Sequence, residues 1–211
     1  MIPGLYYFFE CPHCGYQLKK GSFASANTFG AKLYSDLKRL APDCTEYPII
    51  SRCKNCYQIF WLMDSNLITE SDDDDLWLIK NKKKVEDAEF LDVYDYFEAL
   101  EMKLSNNIED EVYLRNNILW CFNDRIRDAE VYSDSKADMI IWRQNLNRLI
   151  EILDYTNIDQ RILMAELYRN LGNFEKCIAL IESIEPEDYA WLKEKYINEC
   201  SKKNKMVFLL Y

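Results

Sequence analysis

Cys11-Pro12-His13-Cys14 and Cys53-Lys54-Asn55-Cys56 are the two stretches of the 211-residue chain whose residue types and spacing point to chemistry. A Cys-x-x-Cys pair either supplies two thiolates to a metal or cycles between dithiol and disulfide. Two pairs in the first quarter of one chain supply four thiolates, the number that closes a tetrahedral zinc shell. A closed shell leaves no position for water, so one structural Zn2+ is expected at Cys11, Cys14, Cys53 and Cys56. The 38 residues between the pairs exceed the roughly 15–20 of compact sites, so an insertion must lie between them. His13 is the only histidine and sits between ligands, where an exposed turn residue is expected. No catalytic residue is assigned, because no second histidine, phosphate loop or distinguished carboxylate pair accompanies the cysteines.

The elements that must position the cysteines follow from their flanks. Leu5–Glu10 is β-prone and runs into Cys11, and Gly15 can take the left-handed conformation of a tight turn. Pro48-Ile49-Ile50 enters the second pair and Tyr57–Leu62 leaves it as a strand. Cys14-Gly15-Tyr16-Gln17-Leu18 and Cys56-Tyr57-Gln58-Ile59 are alike in letters. This arrangement resembles a zinc ribbon, in which two hairpin knuckles each supply a cysteine pair. Phe29, Leu33, Leu37 and Leu40 fall at helical spacing, which predicts a short inserted helix over Phe29–Leu40. Cys-Pro-His-Cys is also similar to the active site of disulfide oxidases of the thioredoxin fold. That resemblance would make Cys11 the nucleophile and Cys14 the resolving thiol. Only ten residues precede Cys11, too few for the βαβ setting of that fold, and a second pair is redundant for a redox site.

Composition narrows the class. About half the residues are hydrophobic and Gly and Pro number five each, as in a chain with a sizeable core and few flexible linkers. The net charge of −10 is uneven: residues 1–70 hold seven Lys/Arg against six Asp/Glu, and residues 71–211 hold 19 against 30. An acidic C-terminal part repels phosphate backbones, which disfavours nucleic acid and predicts a basic partner. The start of the sequence has no positively charged segment before an apolar one, and apolar runs stop at five or six residues. A cytoplasmic location with reduced thiols and no membrane span is the expectation.

Asp72–Asp75 and Lys82–Lys84 read as a solvated linker. From Asp87 onward the period is helical. Expected inward faces are Phe90, Tyr94, Phe97, Leu100 and Leu104, then Leu114, Ile118, Cys121, Phe122 and Ile126. Met139, Trp142, Leu146, Leu149 and Leu153 form a third. Ser105–Asn107 and Ser133–Ser135 mark the breaks. In Ile162–Ile184, Ala165 and Tyr168 precede Gly172, and Asn173 caps a segment with Phe174, Cys177, Ile181 and Ile184. This pair resembles a tetratricopeptide repeat, with Arg161 at the usual tryptophan position and Pro186 about three residues early. A further helix from Pro186 to Cys200 would cap it.

The reading is therefore α+β, mainly α: a zinc ribbon with an inserted helix at 1–68, a charged linker at 69–86 and a tetratricopeptide-like domain at 87–211. The expected function is a non-enzymatic zinc-binding module that binds a protein or peptide partner. The alternatives are a nucleic-acid-associated ribbon, with Tyr16, Tyr57 or Trp61 stacking bases, and a thiol–disulfide oxidoreductase using Cys11 and Cys14.

Overall fold

The computed structural model describes residues 2–42, 44, 46–72, 85–128, 135–185 and 187–211. Its strands are β1 (Ile2–Pro3), β2 (Tyr6–Glu10), β3 (Gln17–Lys20), β4 (Phe23–Ser25), β5 (Lys32–Leu33), β6 (Arg39–Leu40), β7 (Ile50–Arg52), β8 (Ile59–Trp61), β9 (Asn66–Ser71) and β10 (Glu86–Asp87). The α-helices are α1 (Val93–Glu101), α2 (Ile108–Arg127), α3 (Lys136–Ile152), α4 (Ile158–Asn170), α5 (Phe174–Glu182) and α6 (Ala190–Ser201). Residues 73–84 of the expected linker, 133–134 of an expected helix break and Pro186 of the expected capping helix lie outside the described residues. Two compact units form, neither continuous in sequence: Met1–Ala31 with Ala41–Asp95, and Lys32–Leu40 with Tyr96–Tyr211.

In the first unit, β2 runs into one cysteine pair and returns as β3, with Glu10 opposite Gln17 and Tyr7 opposite Lys20. Strand β9 flanks β2 antiparallel and β10 flanks β3 in parallel, giving the order β10-β3-β2-β9. Phe9 and Leu18 pack with Phe60, Leu62 and Ala88 around Cys11 and Cys53. Period-2 alternation sends Lys19 to the opposite face from Leu18. There it is 1% exposed, with its amine 3.9 Å from Asp87 and over the Tyr6 ring. Strands β7 and β8 make a second hairpin around the other cysteine pair. The segment after residue 84 stitches the two hairpins together. The Ala88 N–H donates to the Lys19 carbonyl at 2.7 Å, and Ser51 Oγ both donates to the Glu89 carbonyl and accepts its N–H.

The second unit builds its helices on asparagine and serine caps. Asn107, Ser135, Asn157 and Asn173 each accept the N–H three residues on, satisfying one of the free donors of a helix start. Leu114, Ile118 and Phe122 of α2 are buried, with Phe122 edge-on to Trp142 at 5.3 Å. Leu146, Leu149, Leu163 and Leu167 join Leu119 in one core, and Ala165, Cys177, Ile181, Leu192 and Tyr196 form another. Small Ala165 and Cys177 sit, fully buried, where α4 and α5 pack against each other. Gly172, at φ +83°, closes α4: the Asn173 N–H reaches back to the Tyr168 carbonyl and its own N–H to Arg169.

Three expectations are corrected. Phe29–Leu40 is not a helix: β5 and β6 pair across a tight turn, Leu37 has φ +61°, and Phe29 is 89% exposed. The backbone partners of this hairpin are the chain's last residues. Leu33 bonds Leu210 and Tyr211, and the Ser35 N–H donates to the Phe208 carbonyl. Its turn carries Ser35 and Asp36, fully buried, rather than the leucine stripe that suggested a helix. The face of α1 also differs. Asp92 caps the helix by accepting the Tyr94 and Asp95 N–H groups, so Phe90 precedes it. Val93, Tyr96 and Ala99 are the buried stripe, and Tyr94 is about half exposed. In α3, Met139 is on the surface and its neighbour Asp138 is buried, held by Arg125 at 2.8 Å.

Helices α2 and α3 are joined by an ion-pair cluster. Arg148 donates to both Glu111 oxygens at 2.9 and 3.1 Å, and Arg115 donates to one of them at 2.8 Å. These bonds, Arg148's foremost, hold the Glu111 carboxyl down at about 2. A carboxylate with a depressed folded-state pKa stabilises above its unfolded value and loses that contribution as pH falls through the folded value. Glu111→Gln is therefore expected to be less stable than the parent near neutral pH. In urea melts at a series of pH values, the gap should close as pH falls from about 4.5 toward 2.

Among the described residues, no helix is long and apolar enough to cross a membrane.

Candidate metal centre

Each cysteine pair sits in a turn built to one backbone plan. The Cys11 N–H donates to the Tyr16 carbonyl and the Gly15 N–H returns to the Cys11 carbonyl, at 2.8 and 2.9 Å. The Cys53 N–H donates to the Gln58 carbonyl and the Tyr57 N–H returns to the Cys53 carbonyl, both at 2.9 Å. In both turns the residue after the second cysteine has positive φ, +69° at Gly15 and +61° at Tyr57. Glycine takes that conformation freely, whereas a tyrosine there is strained. The likeness of letters between the two pairs therefore reflects a likeness of backbone. The first sulfur of each pair also faces backbone N–H groups of its own turn, His13 and Cys14 for Cys11, Asn55 and Cys56 for Cys53.

The two turns bring all four sulfurs within 4.8 Å of one another. Cys11 lies 3.7 Å from Cys56, and Cys14 lies 3.6 Å from Cys53. Tetrahedral zinc with Zn–S bonds of about 2.3 Å separates its sulfurs by about 3.8 Å, so the cluster has the dimensions of such a shell. Cys11 and Cys53 are buried, Cys56 is half-buried and Cys14 is at the surface. The cysteines thus close over one side of the cluster from the core and leave the other near solvent.

The electrostatics are those of a thiol cluster that could hold a cation. Burial pushes the Cys11 thiol up to about 12 and raises Cys53 as well. The Asn55 amide, 3.5 Å from its sulfur, holds Cys14 down at about 6. Four neighbouring thiolates repel one another strongly, and a divalent ion at their centre removes that penalty while taking up all four. No other group of three or more His, Cys, Asp or Glu among the described residues is arranged to hold a metal. His13 is exposed and outside the cluster. Of the aromatics that could have stacked bases, Tyr57 is 68% exposed, while Tyr16 and Trp61 are half-buried.

Sequence reasoning found the four cysteines and missed their supports. The Asn55 contact to Cys14 follows from its place inside the second pair, a signal available in the letters Cys-Lys-Asn-Cys. The Ser51–Glu89 stitch joins residues 38 apart and has no local signature.

No family model, curated protein or solved structure matches the chain.

Proposed function

We propose that this protein is a non-enzymatic, zinc-binding interaction module. Its first unit is a zinc-ribbon-like fold held by one structural Zn2+ on Cys11, Cys14, Cys53 and Cys56. Its helical unit is tetratricopeptide-like and offers a surface to a protein or peptide partner. The observation that carries this reading is the cluster itself: four sulfurs from two matched turns, within 4.8 Å. Four thiolates complete the zinc shell, which argues for a structural ion rather than one that activates water. The glycine-closed α4 and the small residues between α4 and α5 support the repeat-like reading. A reducing, cytoplasmic setting suits thiols that serve as ligands.

Thiol–disulfide exchange at Cys11 has less support. An attacking cysteine needs exposure and a depressed pKa, and Cys11 is 2% exposed with its thiol pushed up. Base stacking is disfavoured by the acidic excess over residues 71–211.

Alkylation mapped by mass spectrometry tests the metal reading. Cys11, Cys14, Cys53 and Cys56 should resist modification together and become reactive together when a chelator is added. Independent reactivity of exposed Cys14, or a ready Cys11–Cys14 disulfide in the native protein, would count against it. The partner reading expects affinity to fall with added salt, and a basic partner whose affinity ignores salt contradicts that electrostatic part.

A further inference from the structure

Strands β2 and β3 pair Tyr7 opposite Lys20, away from the candidate metal centre. Both lie at the end of the sheet remote from the cysteines. They open onto a cavity of about 470 Å³ within the first unit. Tyr7, Phe9 and Leu67 line one wall from β2 and β9. Phe23 and Tyr47 line another, their rings stacked at 6.5 Å, and Met63 stands at the mouth, 72% exposed.

Gly21 makes this wall possible. A Cβ there would lie 2.6 Å from the Tyr47 ring, so only glycine lets that ring close on the backbone. The charge inside is unbalanced. Lys20 lines the cavity and makes no ion pair or side-chain hydrogen bond with a described residue. Its neighbour Lys19, by contrast, has Asp87 beside it.

We propose that this cavity is a binding site for a small apolar carboxylate, whose hydrocarbon or aromatic body fills the space among Tyr7, Phe9, Phe23 and Tyr47 and whose carboxylate pairs with Lys20. The volume is that of a small-molecule site, mostly apolar with a few polar groups, among which Lys20 is the one charged side chain of the lining. A half-buried ammonium with no counter-ion attracts an anion more strongly than one fully in water. Burial lowers the Lys20 pKa from its ordinary value, which a bound carboxylate would reverse. A neutral ligand would leave Lys20 unpaired, and a cationic one would meet its repulsion.

Equilibrium dialysis of the full chain with 2-naphthoate and its neutral counterpart 2-naphthylmethanol tests this. In the parent protein 2-naphthoate should bind at least tenfold more tightly than the alcohol. Lys20→Met should abolish that preference while leaving affinity for the alcohol within about twofold, and Lys20→Arg should keep it. Tyr47→Ala should weaken both ligands several-fold. Metal content and circular dichroism of each variant establish that it is folded. Equal affinity for the two ligands in the parent, a preference that survives Lys20→Met, or no binding of either at millimolar concentration would overturn the assignment.

Discussion

Removal of the metal is expected to unfold the cysteine-bearing unit while the helical unit stays folded. Phe9, Leu18, Phe60, Leu62 and Ala88 of the first unit pack directly around Cys11 and Cys53. Without an ion, the four clustered thiols, two of them buried, no longer cross-link the two cysteine turns on which that packing rests. Zinc held by four thiolates contributes on the order of 10–16 kcal/mol of apparent binding free energy, which becomes folding free energy where the empty site does not persist. Hydrogen exchange after chelation should therefore show the Cys11, Gly15, Cys53 and Tyr57 amides losing protection. Leu119, Leu149 and Leu167, in helices of the other unit, should keep theirs. The discriminating residues are Leu33 and Ser35. They lie between the two cysteine pairs in sequence, yet their hydrogen bonds go to Phe208, Leu210 and Tyr211. Their amides should stay protected with the helices, and their loss alongside the knuckles would contradict this division.

Arg169→Met is expected to cost about 3–5 kcal/mol, because it leaves a buried carboxylate without its counter-charge. Arg169 and Glu166 are both fully buried, with the guanidinium bonded to both Glu166 oxygens at 2.9 and 2.5 Å. The same guanidinium donates to the Asn204 and Met206 carbonyls and lies over the Phe208 ring at 4.7 Å. Glu166 in turn accepts from Ser35 Oγ at 2.9 Å and from Asn170 at 3.0 Å. Arg169 thus gathers α4, the C-terminal segment and the 32–40 hairpin on one charge. Replacing both partners with apolar residues should recover only part of the loss, because the Asn204 and Met206 carbonyls lose the arginine and Ser35 and Asn170 each lose one of their bonds. Urea or thermal melts measure both variants. A loss below about 1 kcal/mol for Arg169→Met would mean that water reaches Glu166 and replaces the arginine.

What was legible in the sequence was local. The cysteine turns were visible because each needs only a few adjacent residues, and the caps Asn107, Ser135 and Asn173 announce helix starts within one turn. Gly172 marked a helix end for the same reason. The hairpin at 32–40 was not legible, because the strand-like partners that fix it lie some 170 residues further on. Leucine spacing suggested a helix, but the buried residues are the polar turn, Ser35 and Asp36. Asp36 is held by Arg127 and Asn123 of α2, with the Trp120 indole on its carbonyl. The face of α1 failed for another reason. Phe90/Tyr94 and Val93/Tyr96 form two overlapping stripes, and only the Asp92 cap fixes which one is helical from its start.

The central claim is that Cys11, Cys14, Cys53 and Cys56 hold one structural zinc. Elemental analysis of the purified, tag-free chain, with a free-thiol count beside it, tests that most directly. One zinc per chain, lost in Cys11→Ser and in Cys53→Ser with a matching rise in reactive thiols, is the predicted result. A metal-free, folded protein whose Cys11 and Cys14 readily form a disulfide would contradict it.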